Sequence, residues 1–261
     1  GKIMISISEG GLETSKKGIN SATGDRGSDS AYDEGMFEEW SVGDANNVSY
    51  HLPADLLPFG IKGSIAYAPS TVADANQSVN NLVAANTGAI TAANNSGKVY
   101  TSGSLANAGR SFTQYAVSAA PIDGLTIGAS YGDFGGSTGD TGQNGEGGSY
   151  YVGYTLGNAT LGYSKSHVAL PTAKTAATYE TVLGQKYSAL VAVNDELSIS
   201  YGVEKSEATH MLSTTADVEQ EVTQIAAAYT TGGLTLAVSM NDYENALYTL
   251  NQDVTSTVFN V

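Results

Sequence analysis

The sequence predicts an all-β chain, folded as a transmembrane, antiparallel, up-and-down β-barrel. Three observations predict it. Segments of alternating polarity recur along the whole length. Short turns and long polar connections alternate between them without a break. One face of these segments is Leu, Ile, Val, Ala and Tyr, and the other is Ser, Thr and Gly with an occasional charge.

The composition sets the frame. The 261 residues suffice for one large domain or two small ones. Charged residues are 14% and hydrophobic residues 41%, with 31 Gly and 16 Tyr. An average soluble domain carries about 25% charged residues, so a chain poor in both classes suits a sheet with one apolar and one wet face. No run of about 18 apolar residues is present, which excludes a transmembrane helix. Barrel strands of about 9–11 alternating residues stay open, because their hydropathy signal is weak. A net charge of -15 excludes nucleic acid as a partner, since the phosphate backbone would be repelled. The absence of Cys removes disulfides, zinc–cysteine sites and thiol catalysis. The chain starts at Gly1 with no initiator Met and no signal peptide, so upstream processing or truncation is expected.

The elements follow in order. Segment 2–8 carries Ile3, Ile5 and Ile7 on one face, and a long polar stretch runs from 9 to 45. Segments 47–52 and 60–68 are joined through a short Pro-flanked link. A second polar stretch, 69–108, leads to segment 110–119, the turn Pro121-Ile122-Asp123-Gly124 and segment 125–133. After a Gly-rich loop, 149–156 and 159–168 flank the two-residue hairpin signal Gly157-Asn158. Segments 181–193 and 197–204 flank Asn194-Asp195, and 218–230 and 234–243 flank Gly232-Gly233. A last segment spans 252–261, giving about twelve strands.

Two features separate the readings. A soluble sandwich uses Greek-key crossings and has no reason to alternate tight turns with long loops. A soluble barrel fills its interior with bulky aliphatics, whereas here the second face is small and polar. Aliphatics outward to lipid and small polar residues inward to water satisfy both faces. Tyr67, Tyr131, Tyr154, Tyr163, Tyr201, Tyr229 and Tyr243, near strand ends, are expected in interfacial girdles.

The phrases Gly124-Leu125-Thr126-Ile127-Gly128-Ala129-Ser130-Tyr131, Gly157-Asn158-Ala159-Thr160-Leu161-Gly162-Tyr163-Ser164-Lys165 and Gly233-Leu234-Thr235-Leu236-Ala237-Val238 resemble the Gram-negative general (trimeric) outer-membrane porin family. The resemblance implies a barrel of sixteen strands whose third long loop folds inward. If stretch 9–45 is that inward-folding constriction loop, residues 1–261 form a single β-barrel domain holding strands five to sixteen, without the N-terminal four. The family's usual terminal aromatic is not matched by Val258-Phe259-Asn260-Val261.

The site expectations rest on that alignment of loops. Asp29, Asp33, Glu34, Glu38, Glu39 and Asp44 are expected at the pore constriction. Lys2, Lys62, Arg110 and Lys186 fall on the polar faces of their strands and are expected on the opposing pore wall. The acidic excess predicts a preference for cations. The expected function is a non-enzymatic outer-membrane porin passing small polar solutes and ions by diffusion. Its surroundings would be the bilayer and lipopolysaccharide, and its assembly a homotrimer. Alternatives are a substrate-specific channel, a barrel enzyme, or a secreted β-rich adhesin or surface-layer protein. His51, His167 and His210 share no motif, and no nucleophile elbow is present. No metal or cofactor is expected, apart from calcium at acidic outer loops as a low-specificity option.

Overall fold

The computed structural model describes residues 1–7, 9–15, 17–29, 39–53, 55–70, 111–135, 144–169, 179–210 and 217–261. Twelve strands form one sheet in sequence order: β1 (Lys2–Ser6), β2 (Asn47–His51), β3 (Lys62–Ala68), β4 (Phe112–Ala119), β5 (Leu125–Phe134), β6 (Glu146–Leu156), β7 (Ala159–Ala169), β8 (Tyr179–Ala192), β9 (Leu197–His210), β10 (Val218–Thr231), β11 (Leu234–Glu244) and β12 (Val254–Asn260). Each strand pairs antiparallel with its sequence neighbour. β1 and β12 are the two edges of the sheet.

The twelve predicted segments coincide with the twelve strands, with the largest boundary difference at β9. That strand runs on to His210, six residues past the predicted end. Residues 205–210 break the apolar alternation because their outward positions carry charge: Lys205 reaches Glu219 at 3.2 Å and also pairs with Glu221. Ladder hydrogen bonds to β8 and β10 continue regardless of which side chains they carry.

The tight turns come from residues that tolerate left-handed backbone. Gly157 (φ 60°) turns β6 into β7, and Gly232 (φ 57°) with Gly233 (φ 85°) turns β10 into β11. Between β8 and β9, Asn194 accepts from the backbone N–H groups of Glu196 and Leu197 at 2.9 and 2.8 Å.

The two faces of the sheet are sorted as the alternation requires. Ile65, Val117, Val152, Leu161, Ile199, Ile225, Leu236 and Met240 are exposed on the convex side. Ser130, Ser149, Ser164, Ser188, Ser200 and Ser239 are buried on the concave side. Tyr67, Tyr131, Tyr154, Tyr201 and Tyr229 lie on the exposed face. Tyr243 does not. It is fully buried and donates to the Gly27 carbonyl at 2.8 Å, so it belongs to the interior.

The interior is not uniformly polar. At the long-loop end, Phe112, Phe134, Val168, Val182 and Ala208 point inward and pack with Trp40, Val42 and Tyr248 into one apolar cluster. Trp40 meets Phe134 edge-on, with ring centroids 5.1 Å apart and planes at 89°. The polar inner face predicted for the whole barrel therefore holds for its middle and its turn end only. The exception arises because residues 40–45 fold back inside and bring their own apolar side chains to bury.

Trp40→Ala is expected to lower the unfolding free energy by about 3–5 kcal/mol, the cost of emptying a large buried aromatic site. Denaturant unfolding in detergent measures it, and a loss below about 0.5 kcal/mol would mean the cluster is not a core.

Candidate functional site

Of the residues between β1 and β2, the described stretches 11–15, 17–28 and 39–45 run inside the concave face, and the inner wall receives them strand by strand. On β4, the Gln114 side-chain oxygen accepts from the backbone N–H of Leu12 at 3.2 Å and of Val42 at 3.0 Å. Its amide donates to the Trp40 carbonyl at 3.1 Å. One buried side chain thus ties the outgoing and returning arms together. On β5 and β6, the Thr14 hydroxyl sits 2.9 Å from Ser130 Oγ and 2.8 Å from Ser149 Oγ. On β7, Ser164 donates to the Ser15 carbonyl at 3.0 Å. On β8, Ser188 accepts from the Asn20 N–H at 2.8 Å, and on β9 Ser200 accepts from the Ala22 N–H at 2.8 Å.

The pattern has a clear cause. A segment without regular structure carries unpaired backbone donors and acceptors, and burying them unpaired is costly. Serine supplies one donor and two acceptor sites on a single-carbon stem, so it serves either polarity without holding the segment off the wall. At one point even a Cβ is excluded: a Cβ at Gly162 would lie 2.2 Å from the Gly18 carbonyl oxygen, and one at Gly18 would lie 2.5 Å from the Tyr163 carbonyl.

A charged clasp holds the segment at residues 26–28. Glu204 on β9 is 2% exposed. Its carboxylate accepts from the Ser28 N–H at 3.0 Å and the Ser28 hydroxyl at 2.8 Å. Lys186 Nζ lies 3.1 Å from it and an Arg26 guanidinium nitrogen 3.9 Å. Desolvation of three ions is offset only because each faces an opposite charge or a hydrogen-bond donor.

The residues expected at the constriction are distributed as follows. Glu39 sits inside, accepting from Ser130 and Ser149 hydroxyls at 2.6 Å each and from the Thr14 and Ser15 N–H groups at 3.2 and 3.4 Å. Burial pushes its carboxyl above the usual 4.5, although those four donors pull the other way. Asp29 and Asp44 close the 3₁₀ turns Gly27–Asp29 and Val42–Asp44, and their side chains lie outside the described residues. Asp33, Glu34, Glu38 and Arg110 lie outside the described residues altogether.

Of the basic residues expected on the wall, Lys186 faces inward within the clasp. Lys62 shares the inward parity of Ser64, Ala66 and Ala68 on β3. Lys2, on the polar side of β1, stands directly across from His51 of β2. Sequence reasoning singled out neither Arg26, Glu204 nor Gln114. Glu204 and Gln114 were readable as polar residues on an inward parity, but their partner segment has no periodicity to announce it. His51 faces inward between Ser49 Oγ (3.1 Å) and Ser64 Oγ (2.8 Å), and His167 is exposed on β7. Among the described residues, no group of three or more His, Cys, Asp or Glu is placed to hold a metal ion.

A next-neighbour antiparallel sheet, apolar outside and hydroxyl-lined along the middle of its inner face, with a segment folded against it, has the architecture of outer-membrane β-barrels. Solved structures carry the same fold. OmpT, an outer-membrane protein of Vibrio cholerae folded in vitro, matches with a TM-score of 0.50 at 13% identity, covering 83% of this chain and 62% of its own. OmpF of Salmonella typhi, in complex with daunomycin, matches with a TM-score of 0.53 at 13% identity, covering 82% and 61%. The fold is that of the Gram-negative general porins. The chain spans about three fifths of the length of either solved protein. No family model matches the sequence, and no curated sequence matches it.

Two outcomes test the interior geometry. Glu204→Gln removes the carboxylate that Lys186 and Arg26 share and is expected to cost about 3–5 kcal/mol of stability; an unchanged denaturation midpoint would show the clasp to be idle. For Glu39 the sign follows from its raised value. The native state holds its proton more tightly than the unfolded chain, so this group's contribution is fully present below 4.5 and is lost as pH rises through the raised value. The stability difference between wild type and Glu39→Gln should therefore shift in favour of wild type on acidification through that window. A difference that is flat with pH contradicts the burial of this carboxyl.

Proposed function

We propose that this chain forms most of the wall of an outer-membrane channel through which small polar solutes and ions diffuse. The observation that supports it best is the inversion of its two faces. An exposed belt of Ile, Leu, Val and Tyr lies on one face, and Ser, Gln and Asn are buried along the middle of the other, the sorting that a strand wall between hydrocarbon and water requires. The likeness in fold to OmpT and OmpF supports the same reading. In this reading the edges β1 and β12 are joined through about four further strands, making about sixteen. The surroundings are lipid and lipopolysaccharide, and the assembly is a homotrimer. No chemical step is needed; passage follows from width and lining charge. Residues 9–45 form the constriction loop, with Asp29, Asp33, Glu34, Glu38, Glu39 and Asp44 as its acids and Lys2, Lys62, Arg110 and Lys186 on the wall side. With these acids near the pore, the channel favours cations.

Purified protein in planar bilayers under a salt gradient is expected to give stepwise, long-lived conductance with a cation-selective reversal potential. A folded protein that stays soluble without detergent and never inserts would overturn the reading.

A further inference from the structure

The inward segment does not fill the whole interior. Towards the short-turn end, a chamber of about 520 Å³ lies between residues 11–17 and the inner wall of β2, β3, β4 and β6. That volume is in the range of small-molecule sites. Its charged lining is unlike that of the chain as a whole. Lys17 comes from the inward segment, Lys62 and His51 come from the wall, and Glu13 is the one carboxylate among them. Lys2 adds a further positive charge beside the chamber, directly across the ladder from His51.

Among the described residues, three interior carboxylates are already engaged. Glu13 accepts from the Ser41 hydroxyl at 2.7 Å. Glu39 is held by two serines and two backbone N–H groups. Glu204 is held by Lys186, Arg26 and Ser28. Among the described residues, no carboxylate pairs with Lys17 or Lys62, and both side chains are exposed to the chamber. Neutral donors stand beside them. Ser118 lies across the ladder from Lys62. Tyr151 turns its ring inward across from Gly128, where a Cβ would come within 2.5 Å of that ring.

We propose that this chamber is a binding site for small multivalent oxyanions on their way through the lumen. Two ammonium groups, one from the inward segment and one from the wall, with the hydroxyls of Ser118 and Tyr151 in the same lining, recognise an anion that carries more than one charged oxygen group. A single chloride engages one ammonium at a time and gains little. Lysine charges without a guanidinium fork favour charge over planar geometry, so tricarboxylates and phosphate are both admitted in principle, and their order of affinity reports the spacing. The proposal rests on the channel reading, because a solute reaches the chamber only through an open lumen.

The test uses the full chain and two probes, citrate and inorganic phosphate. In planar bilayers of wild-type protein, millimolar citrate should reduce the single-channel current reversibly. In the Lys17→Gln/Lys62→Gln double variant, half-block should need about tenfold more citrate, the sum of two partly screened ion pairs. Lys62→Glu should weaken block further, and Lys165→Gln, on the outer face of β7, should leave it unchanged. Stronger block by phosphate than by citrate would assign the site to phosphate-bearing solutes. Conductance without citrate or phosphate block, or block that the lysine variants leave unchanged, overturns the site and leaves the channel reading intact. If no conductance is found, calorimetric titration of citrate into the detergent-solubilised protein decides: binding lost in the double variant keeps the site and overturns the channel, and absence of binding overturns both.

Discussion

The structure depends on the pairing of an irregular backbone with a wall of hydroxyl groups. The outer face of the sheet is committed to apolar side chains, so the alternation leaves the inner face to polar ones. Residues 9–29 and 39–45 must then be housed inside, with no ladder of their own to satisfy their amides. Ser130, Ser149, Ser164, Ser188 and Ser200 solve both problems at once. Each is small enough to leave room for a chain and polar enough to bond it. A wall of Leu at these positions would fill the lumen and strand the backbone groups.

This arrangement also grades the interior along the strands. At the long-loop end Trp40, Phe112 and Phe134 pack into an apolar cluster. In the middle the hydroxyl wall carries the segment, and Glu204 holds residues 26–28 together with Lys186. Towards the turns the segment lifts from the wall and leaves the basic chamber. The clasp and the apolar cluster hold the segment at two separated points, so the space between it and the wall is fixed by anchors on both sides. Gly18 and Gly162 set the closest approach, backbone to backbone.

The fold was legible in the sequence because strand alternation is local. Each of the twelve segments carries its own period, and Gly157, Gly232 and Asn194 mark turns by their own chemistry. The extension of β9 to His210 was not legible, since charged outward residues such as Lys205 and Glu207 erase the period where the ladder continues. The interior site was legible only in part. The inward parity of Lys62 and Lys186 followed from alternation. That Lys186 is consumed by Glu204 while Lys62 lines an open chamber did not, because both outcomes depend on where an aperiodic segment lies. Tyr243 misled for the same reason: its ring packs inward because Gly27 brings a carbonyl to it.

Overall charge is a poor guide to the lumen for a related physical reason. The -15 total is a sum over the whole surface, and exposed charges farther apart than about 10 Å are largely screened in salt. What a passing ion meets is the set of charges close to its path and not already neutralised. On the outer face, Lys205 is shared between Glu219 and Glu221. Inside, hydrogen bonds from serines spread the charge of Glu39 and ion pairs cancel that of Glu204. Lys17 and Lys62 line the chamber itself. Acids that favour cations at one point of the passage and a basic corner that holds anions at another can thus coexist, because each acts only on an ion within about one screening length of it.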